Sequence, residues 1–280
     1  MRSRGALDRL LRGVPKHAVL LAFVAITLVP VYFMLVNSFK TADEYIGNPY
    51  GIPDDPTLST LREAFRGGDL LRWLGNSALF TLASVSLSTL IAALAAYPLA
   101  LMRWRPGPTV LSLLIALMVV PPIVLVIPLF QLVVDLGQVS TYRSVIVIYT
   151  GILLPFSTFL LVSFFRTTPR ELLEAARIDG AGHFRVWRSV VLPLGMPAIV
   201  TVATVQALWV WNEVLIAVIF LQSEELRTLM VGITLFQSRF TLNVPLVMAG
   251  MLWATIPMLL LYLLGQRFFI RGLTAGAVKG

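Results

Sequence analysis

The sequence contains no cysteine. This excludes a disulfide framework, a thiolate zinc site and a thiol nucleophile. Charge is scarce as well, with only 13% of residues being Asp, Glu, Lys or Arg. Lysine is confined to Lys16, Lys40 and Lys279, and none of them closes a G-x-x-x-x-G-K-[ST] phosphate loop, so the chain has no P-loop with which to hydrolyse ATP. The two histidines, His17 and His183, stand far apart and outside any H-E-x-x-H helix. The serines form no nucleophile-elbow pattern. A hydrolase within the membrane would therefore have neither its metal ligands nor its nucleophile, and no metal site is expected.

What the chain has instead is apolar length. Hydrophobic residues make up 58% of it, at a mean hydropathy of +0.85, and they come in blocks rather than at amphipathic spacing. About 20 apolar residues cross a hydrocarbon layer roughly 30 Å thick. Six spans are predicted, at 18–39, 76–102, 109–134, 144–166, 193–221 and 245–269 of a single domain, 1–280. Every span must satisfy its own backbone in lipid, so the fold class is an all-α integral membrane protein. Pro121, Pro122, Pro128, Pro155 and Pro257 fall inside these runs and are expected to kink them without ending them. The first run follows Arg2, Arg4, Arg9, Arg12 and Lys16 but is too long for a signal peptide and lacks a small-x-small cleavage site. It reads as an uncleaved span.

The net charge of +8 fits topology better than nucleic acid, for which no role is expected. With the N-terminus inside and six alternating spans, 15 of the 22 Lys and Arg residues lie on the inner side. The positive-inside rule then places both termini in the cytoplasm. Loop 40–75 is the largest outer segment. It has a turn-rich "NPYGIPDDP" and a "LSTLREAF" suited to one short surface helix.

One polar segment stands out between spans four and five, at 167–192, on the inner side. Thr168, Pro169 and Glu171 suggest an N-cap, a first helical residue and a capping box. Leu172, Leu173, Ala175 and Ala176 suggest one apolar and small face, with Glu174 and Arg177 three apart beside it. Gly180 suits the position just past a helix end, where positive φ is cheap only for glycine. "GHFRVWRSVV" then restarts a helix that runs to Pro193. The whole is a helix–turn–helix elbow. Taken alone, it fits a hairpin lying on headgroups or a docking knob for a cytoplasmic partner equally well.

The spacing Glu174-Ala175-Ala176, three residues, Gly180, nine residues, Val190, one residue, Leu192-Pro193 resembles the EAA motif of the membrane subunits of bacterial ATP-binding-cassette importers. The departure is Val190 where that motif has isoleucine. The C-terminal "GLTAGAVKG", with Trp211-Asn212-Glu213 and Asn76-Ser77, is similar to the carbohydrate-uptake branch of the maltose/trehalose/glycerol-phosphate type, and six spans fit the second, shorter permease of such pairs. The resemblance runs from about residue 18 to the end. It implies a type I importer permease of the bacterial cytoplasmic (inner) membrane that forms half of a translocation path for a sugar or sugar derivative. The implied partners are a homologous permease, two cytoplasmic ATP-binding subunits and an extracytoplasmic solute-binding protein, beside membrane lipid. ATP and magnesium would bind the partner ATPase, with no cofactor in this chain. Glu174, Ala175, Ala176, Asp179, Gly180, Leu192 and Pro193 would couple to the ATPase, and Gly276 and Lys279 of the tail would reach its interface.

A rival reading, an ion-coupled carrier without an ATPase, needs ionisable groups within spans. Glu213 is the one clear acidic candidate, about 12 Å inside the outer end of the predicted fifth span at 1.5 Å per residue. Helical spacing puts Gln206, Trp209, Asn212 and Glu213 on one side, a make-up suited to lining a sugar path. Trp253 is a further candidate aromatic platform. The same residues also suit packing against a neighbouring helix.

Overall fold

The computed structural model describes residues 4–66, 69–236 and 243–277, and among these residues all regular structure is helical. Among the described residues, five helices are long and apolar enough to cross a membrane: His17–Ser38, Leu70–Leu101, Tyr142–Phe165, His183–Asn212 and Val244–Leu263. They lie in α1 (Arg4–Ser38), α4 (Leu70–Leu101), α7 (Tyr142–Phe165), the run of α9 (His183–Val186) into α10 (Leu192–Asn212), and α13 (Val244–Ala277). Shorter helices are α2 (Ala42–Gly47), α3 (Ser59–Arg66), α5 (Gly107–Leu117), α6 (Pro122–Asp135), α8 (Arg170–Ile178), α11 (Leu215–Phe220) and α12 (Leu229–Thr234).

The predicted third span is not one helix. α5 and α6 meet at 97°. Pro121 and Pro122 offer no N–H to the preceding turn, and a residue before proline is pushed out of the helical region. α5 accordingly closes through tight bonds, Met118 N–H to Ile115 O and Val120 N–H to Leu117 O, before Pro121 turns extended at ψ 135°. The bend leaves an apolar cavity of about 710 Å³ against α7, lined in part by Leu125, Leu129, Val147 and Gly151. Pro128, Pro155 and Pro257 lie inside continuous helices, as expected.

The chain forms two compact units, Met1–Asp69 with Ile233–Thr255, and Leu70–Gly232 with Ile256–Gly280. In the first, "LSTLREAF" does form a short helix, α3, held by Trp253 Nε1 donating to Leu61 O at 3.3 Å and by the Phe65–Trp253 ring pair. In the second, α4 and α7 make the most extensive helix pair, with α10 packed on both. Ser84, Ser88, Ala92, Ala93 and Ala96 on α4 are buried. Small side chains of this kind let helices approach closely in lipid, where burying apolar surface gives no advantage. Gly195 of α10 serves the same end, because a β-carbon there would lie 2.5 Å from the Phe165 ring. At one end of α4, Asn76 Nδ2 donates to Glu225 O and Arg227 O, and Ser77 Oγ accepts from Leu229 N–H. The Asn-Ser pair thus fastens the segment after α11.

Candidate functional site

The polar segment 167–192 folds as a helical elbow. Its first helix, α8, starts later than expected, and the capping box is absent. Thr167 and Thr168 N–H groups close the end of α7 on Phe164 O and Phe165 O, and Pro169 is extended with ψ 132°. Thr168 is spent on ending one helix and caps no other.

The turn follows the expectation for Gly180, which has φ +78°. Gly180 N–H donates to Arg177 O and Ala181 N–H to Ala176 O, both at 3.0 Å. This paired closure satisfies the last carbonyls of α8 with backbone alone and requires a left-handed residue at the glycine. Asp179 is the C-cap, exposed, with its N–H on Ala175 O.

The expected single small face of α8 is split in two. Leu173 is buried and Ala176 half-buried against the spans, while Leu172, Glu174, Ala175 and Ile178 are exposed. Arg177 does not pair with Glu174; its guanidinium lies near the Tyr97 hydroxyl of α4. The second arm is likewise two-sided. Val186, Trp187 and Val191 are buried, whereas Phe184 and Arg185 are exposed. Trp187 Nε1 donates to Ala93 O at 3.1 Å, and the Tyr97 hydroxyl lies 3.3 Å from His183 Nδ1.

This arm does not stop at Pro193. It passes through a wider turn, Trp187–Val191, in which Leu192 N–H reaches Trp187 O, and continues as α10. Pro193 has no N–H and would crowd the preceding carbonyl, and a widened turn relieves that conflict. Leu192 and Pro193 therefore mark where the elbow becomes a span, and both sit in one rigid helical run. Trp187 and Tyr97, the residues that fasten the elbow, were not singled out from the sequence. Trp187 carries one signal, a buried-type aromatic in a polar segment, and Tyr97, inside an apolar run, carries none.

The expected stripe on the fifth span is broken. α10 ends at Asn212, and Glu213 is extended, with φ −74° and ψ 129°. Its carboxylate accepts from Ile216 N–H at 2.8 Å and Ala217 N–H at 3.1 Å, at the start of α11, and from the Tyr149 hydroxyl of α7 at 2.7 Å. An anion suits a helix N-terminus, whose first N–H groups have no partner within the helix. Gln206 is buried; its Nε2 donates to Leu153 O at 3.0 Å and contacts Ser157 Oγ. Trp209 is 38% exposed, its ring edge-on to Tyr149 at 6.1 Å. Asn212 is exposed, with Nδ2 on Leu208 O. Gln206 and Glu213 therefore turn to α7, while Trp209 and Asn212 present surface. Trp253 is half-buried and holds α3. In the tail, Gly276 lies within α13, and Lys279 lies outside the described residues. Among the described residues no three His, Asp or Glu side chains cluster as metal ligands.

Residues 88–269 match the family model described as "Binding-protein-dependent transport system inner membrane component". The chain is 37% identical over 253 residues to the melibiose/raffinose/stachyose import permease protein of Bacillus subtilis, covering 90% of this chain and 91% of that protein. It is 36% identical over 254 residues to the sulfoquinovosyl glycerol transport system permease protein of Agrobacterium fabrum, covering 90% and 89%. Its fold matches a chain of a bacterial ABC transporter involved in import of the acidic polysaccharide alginate, with a TM-score of 0.81 at 22% identity over 96% of this chain and 99% of that one.

Proposed function

The chain belongs to the family of binding-protein-dependent transport system inner membrane components, and on that premise we propose that its elbow is the seat of a cytoplasmic ATPase. It is a multi-pass membrane permease subunit of an ATP-driven sugar importer. It works beside a partner permease, and ATP hydrolysis belongs to another chain. The observation that carries the docking role is the two-sidedness of the elbow. Leu173, Val186, Trp187 and Val191 bury one side among α4, α7 and α10, while Glu174, Ala175, Ile178 and Phe184 leave the other side exposed. Ile178 is 86% exposed. An apolar and small surface ringed by charge suits a protein cleft, and the buried side, continuous with α10, passes any push on the elbow directly to a span.

In this reading Glu174 and Ala175 face the ATPase, and Ala176 faces the spans. Asp179 and Gly180 set the turn, and Leu192-Pro193 joins it to the membrane. ATP and magnesium sit in the ATPase pair, the extracytoplasmic binding protein delivers cargo on the opposite side, and both termini are cytoplasmic. Gly276 and Lys279 extend the same interface. Relatives named for melibiose/raffinose/stachyose and for sulfoquinovosyl glycerol favour a glycoside or short oligosaccharide as cargo. Trp209 and Asn212 are the residues offered to it; Gln206 and Glu213 act behind them by fixing α7 against α10.

The test uses single cysteines in a chain that has none of its own. Ala175→Cys is expected to cross-link to the ATPase in the assembled complex, and Ala176→Cys is not. Equal cross-linking at both positions, or at neither, would remove the docking role. Labelling Arg185→Cys from outside intact cells would overturn the topology beneath it.

A further inference from the structure

The segment that follows α1 has more internal bonding than an outer loop requires. Lys40 is fully buried, and its Nζ donates to Asn48 O at 2.6 Å and Gly51 O at 2.7 Å. Asn48 supports the same turn, with Oδ1 accepting from Gly51 N–H and Nδ2 donating to Ile52 O. Glu44 Oε1 accepts from Asp54 N–H, and Thr60 Oγ1 donates to Lys40 O. A buried ammonium tied to two carbonyls fixes a backbone shape; it contributes nothing to the outer surface. That outer surface carries Ile46, Tyr50 and Ile52, at 81%, 76% and 72% exposed.

The position of this turn along α1 indicates what it meets. The apolar stretch His17–Ser38 has 22 residues, about 33 Å at 1.5 Å per residue, and so matches the hydrocarbon thickness. The Tyr32 hydroxyl donates to Tyr50 O, and the Phe33 ring lies 6.5 Å from Tyr45 and 6.0 Å from Tyr50. Tyr32 lies six residues before Ser38, about 9 Å back along the helix axis. The chain leaves α1 and folds back beside its last two turns instead of rising into water. The neighbouring face of α1 is apolar and open, with Leu28, Val31, Tyr32 and Leu35 exposed, and within that stretch burial is confined to Asn37 and Ser38 at its end. Ile46, Tyr50 and Ile52 continue this open apolar face beside the outer end of the span, and tyrosine is a residue enriched near the boundary of headgroups and acyl chains.

We infer that residues 42–52 form a rigid foot that inserts Ile46, Tyr50 and Ile52 into the outer-leaflet boundary and pins the end of α1 at a fixed depth. Lys40 is a positioning residue that holds the foot in shape. The inference rests on α1 being a span and not on the ATPase role of the elbow, so either can fail alone.

The experiment places a nitroxide on Ile46→Cys, Ile52→Cys or, as a water-facing reference, Asp55→Cys, in the assembled complex in phosphatidylcholine nanodiscs. Accessibility to oxygen and to a water-soluble nickel chelate is compared. Labels at 46 and 52 are expected to show an oxygen-to-nickel ratio several-fold above that at 55. Adding Lys40→Met should lower that ratio and raise label mobility. Tyr50→Trp, which leaves the turn bonds in place, should be quenched by brominated lipid. Ratios at 46 and 52 equal to that at 55, with no quenching, would overturn the foot. Nickel protection that arises only when the solute-binding protein is added would overturn it in favour of a protein-docking surface.

Discussion

Two interruptions in the helices of this permease solve the same problem differently. At Gly180 a helix ends at the exposed elbow, and its carbonyls are closed by the next two N–H groups of its own backbone. At Glu213 a helix ends within an apolar run. There the restart is held by a carboxylate and by a tyrosine hydroxyl from another helix. Where water is at hand, a turn needs only a residue with the right φ. In lipid, each N–H left over at a restart needs an acceptor; here it is a carboxylate three and four residues back, itself held by a hydroxyl from another helix. The elbow is therefore a local structure and the Glu213 break a tertiary one.

The comparison is broken most sharply at the glycine. Gly180→Asp places a side chain at φ +78°, which costs about 1–2 kcal/mol locally, and adds a charge at the docking surface. Uptake is expected to be lost while the chain remains in the membrane, as measured by sugar transport and membrane immunoblot. Retained transport would leave the elbow without a coupling role.

Next in size is Glu213→Leu. It orphans two helix N–H groups and the Tyr149 hydroxyl, at about 1–3 kcal/mol for each buried group left unsatisfied. A lower melting temperature of the purified complex is expected, and combining it with Tyr149→Phe should cost less than the sum of the two. Additive losses would show that the carboxylate and the hydroxyl do not act as a pair.

Trp187→Phe keeps the buried ring and removes one N–H bond to Ala93 O, for an expected loss of about 1 kcal/mol. Coupling of ATP hydrolysis to transport should fall more than ATPase attachment, because the exposed face is untouched. The smallest effect is expected for Thr168→Ala. A capping threonine would cost about 0.5–2 kcal/mol, but this one caps nothing, so stability should stay within error. A clear loss would restore the capping box.

Much of the elbow was legible because its determinants are close in sequence. Gly180 lies just past a nine-residue helix, and its turn follows from glycine's freedom at positive φ. Thr168 misled because the same threonine serves equally well at the end of α7. Hydropathy marked the 109–134 run as apolar but carries no direction, so Pro121-Pro122 read as a kink where the chain turns by 97°. The stripe from Gln206 to Glu213 presumed an unbroken helix. Nothing near Glu213 in sequence reveals Tyr149, 64 residues away.

The sequence by itself determined that the chain is a helical membrane protein, which family it belongs to, and where its elbow turns. These depend on apolar length, on a short motif and on one glycine's backbone freedom, all local properties. Only the tertiary structure decided which side of the elbow is buried, why Glu213 is tolerated in an apolar run, and how Lys40 is satisfied. Each of these is the pairing of a buried polar or aromatic group with an atom distant along the chain or folded back upon it, and hydropathy and spacing do not encode such pairings.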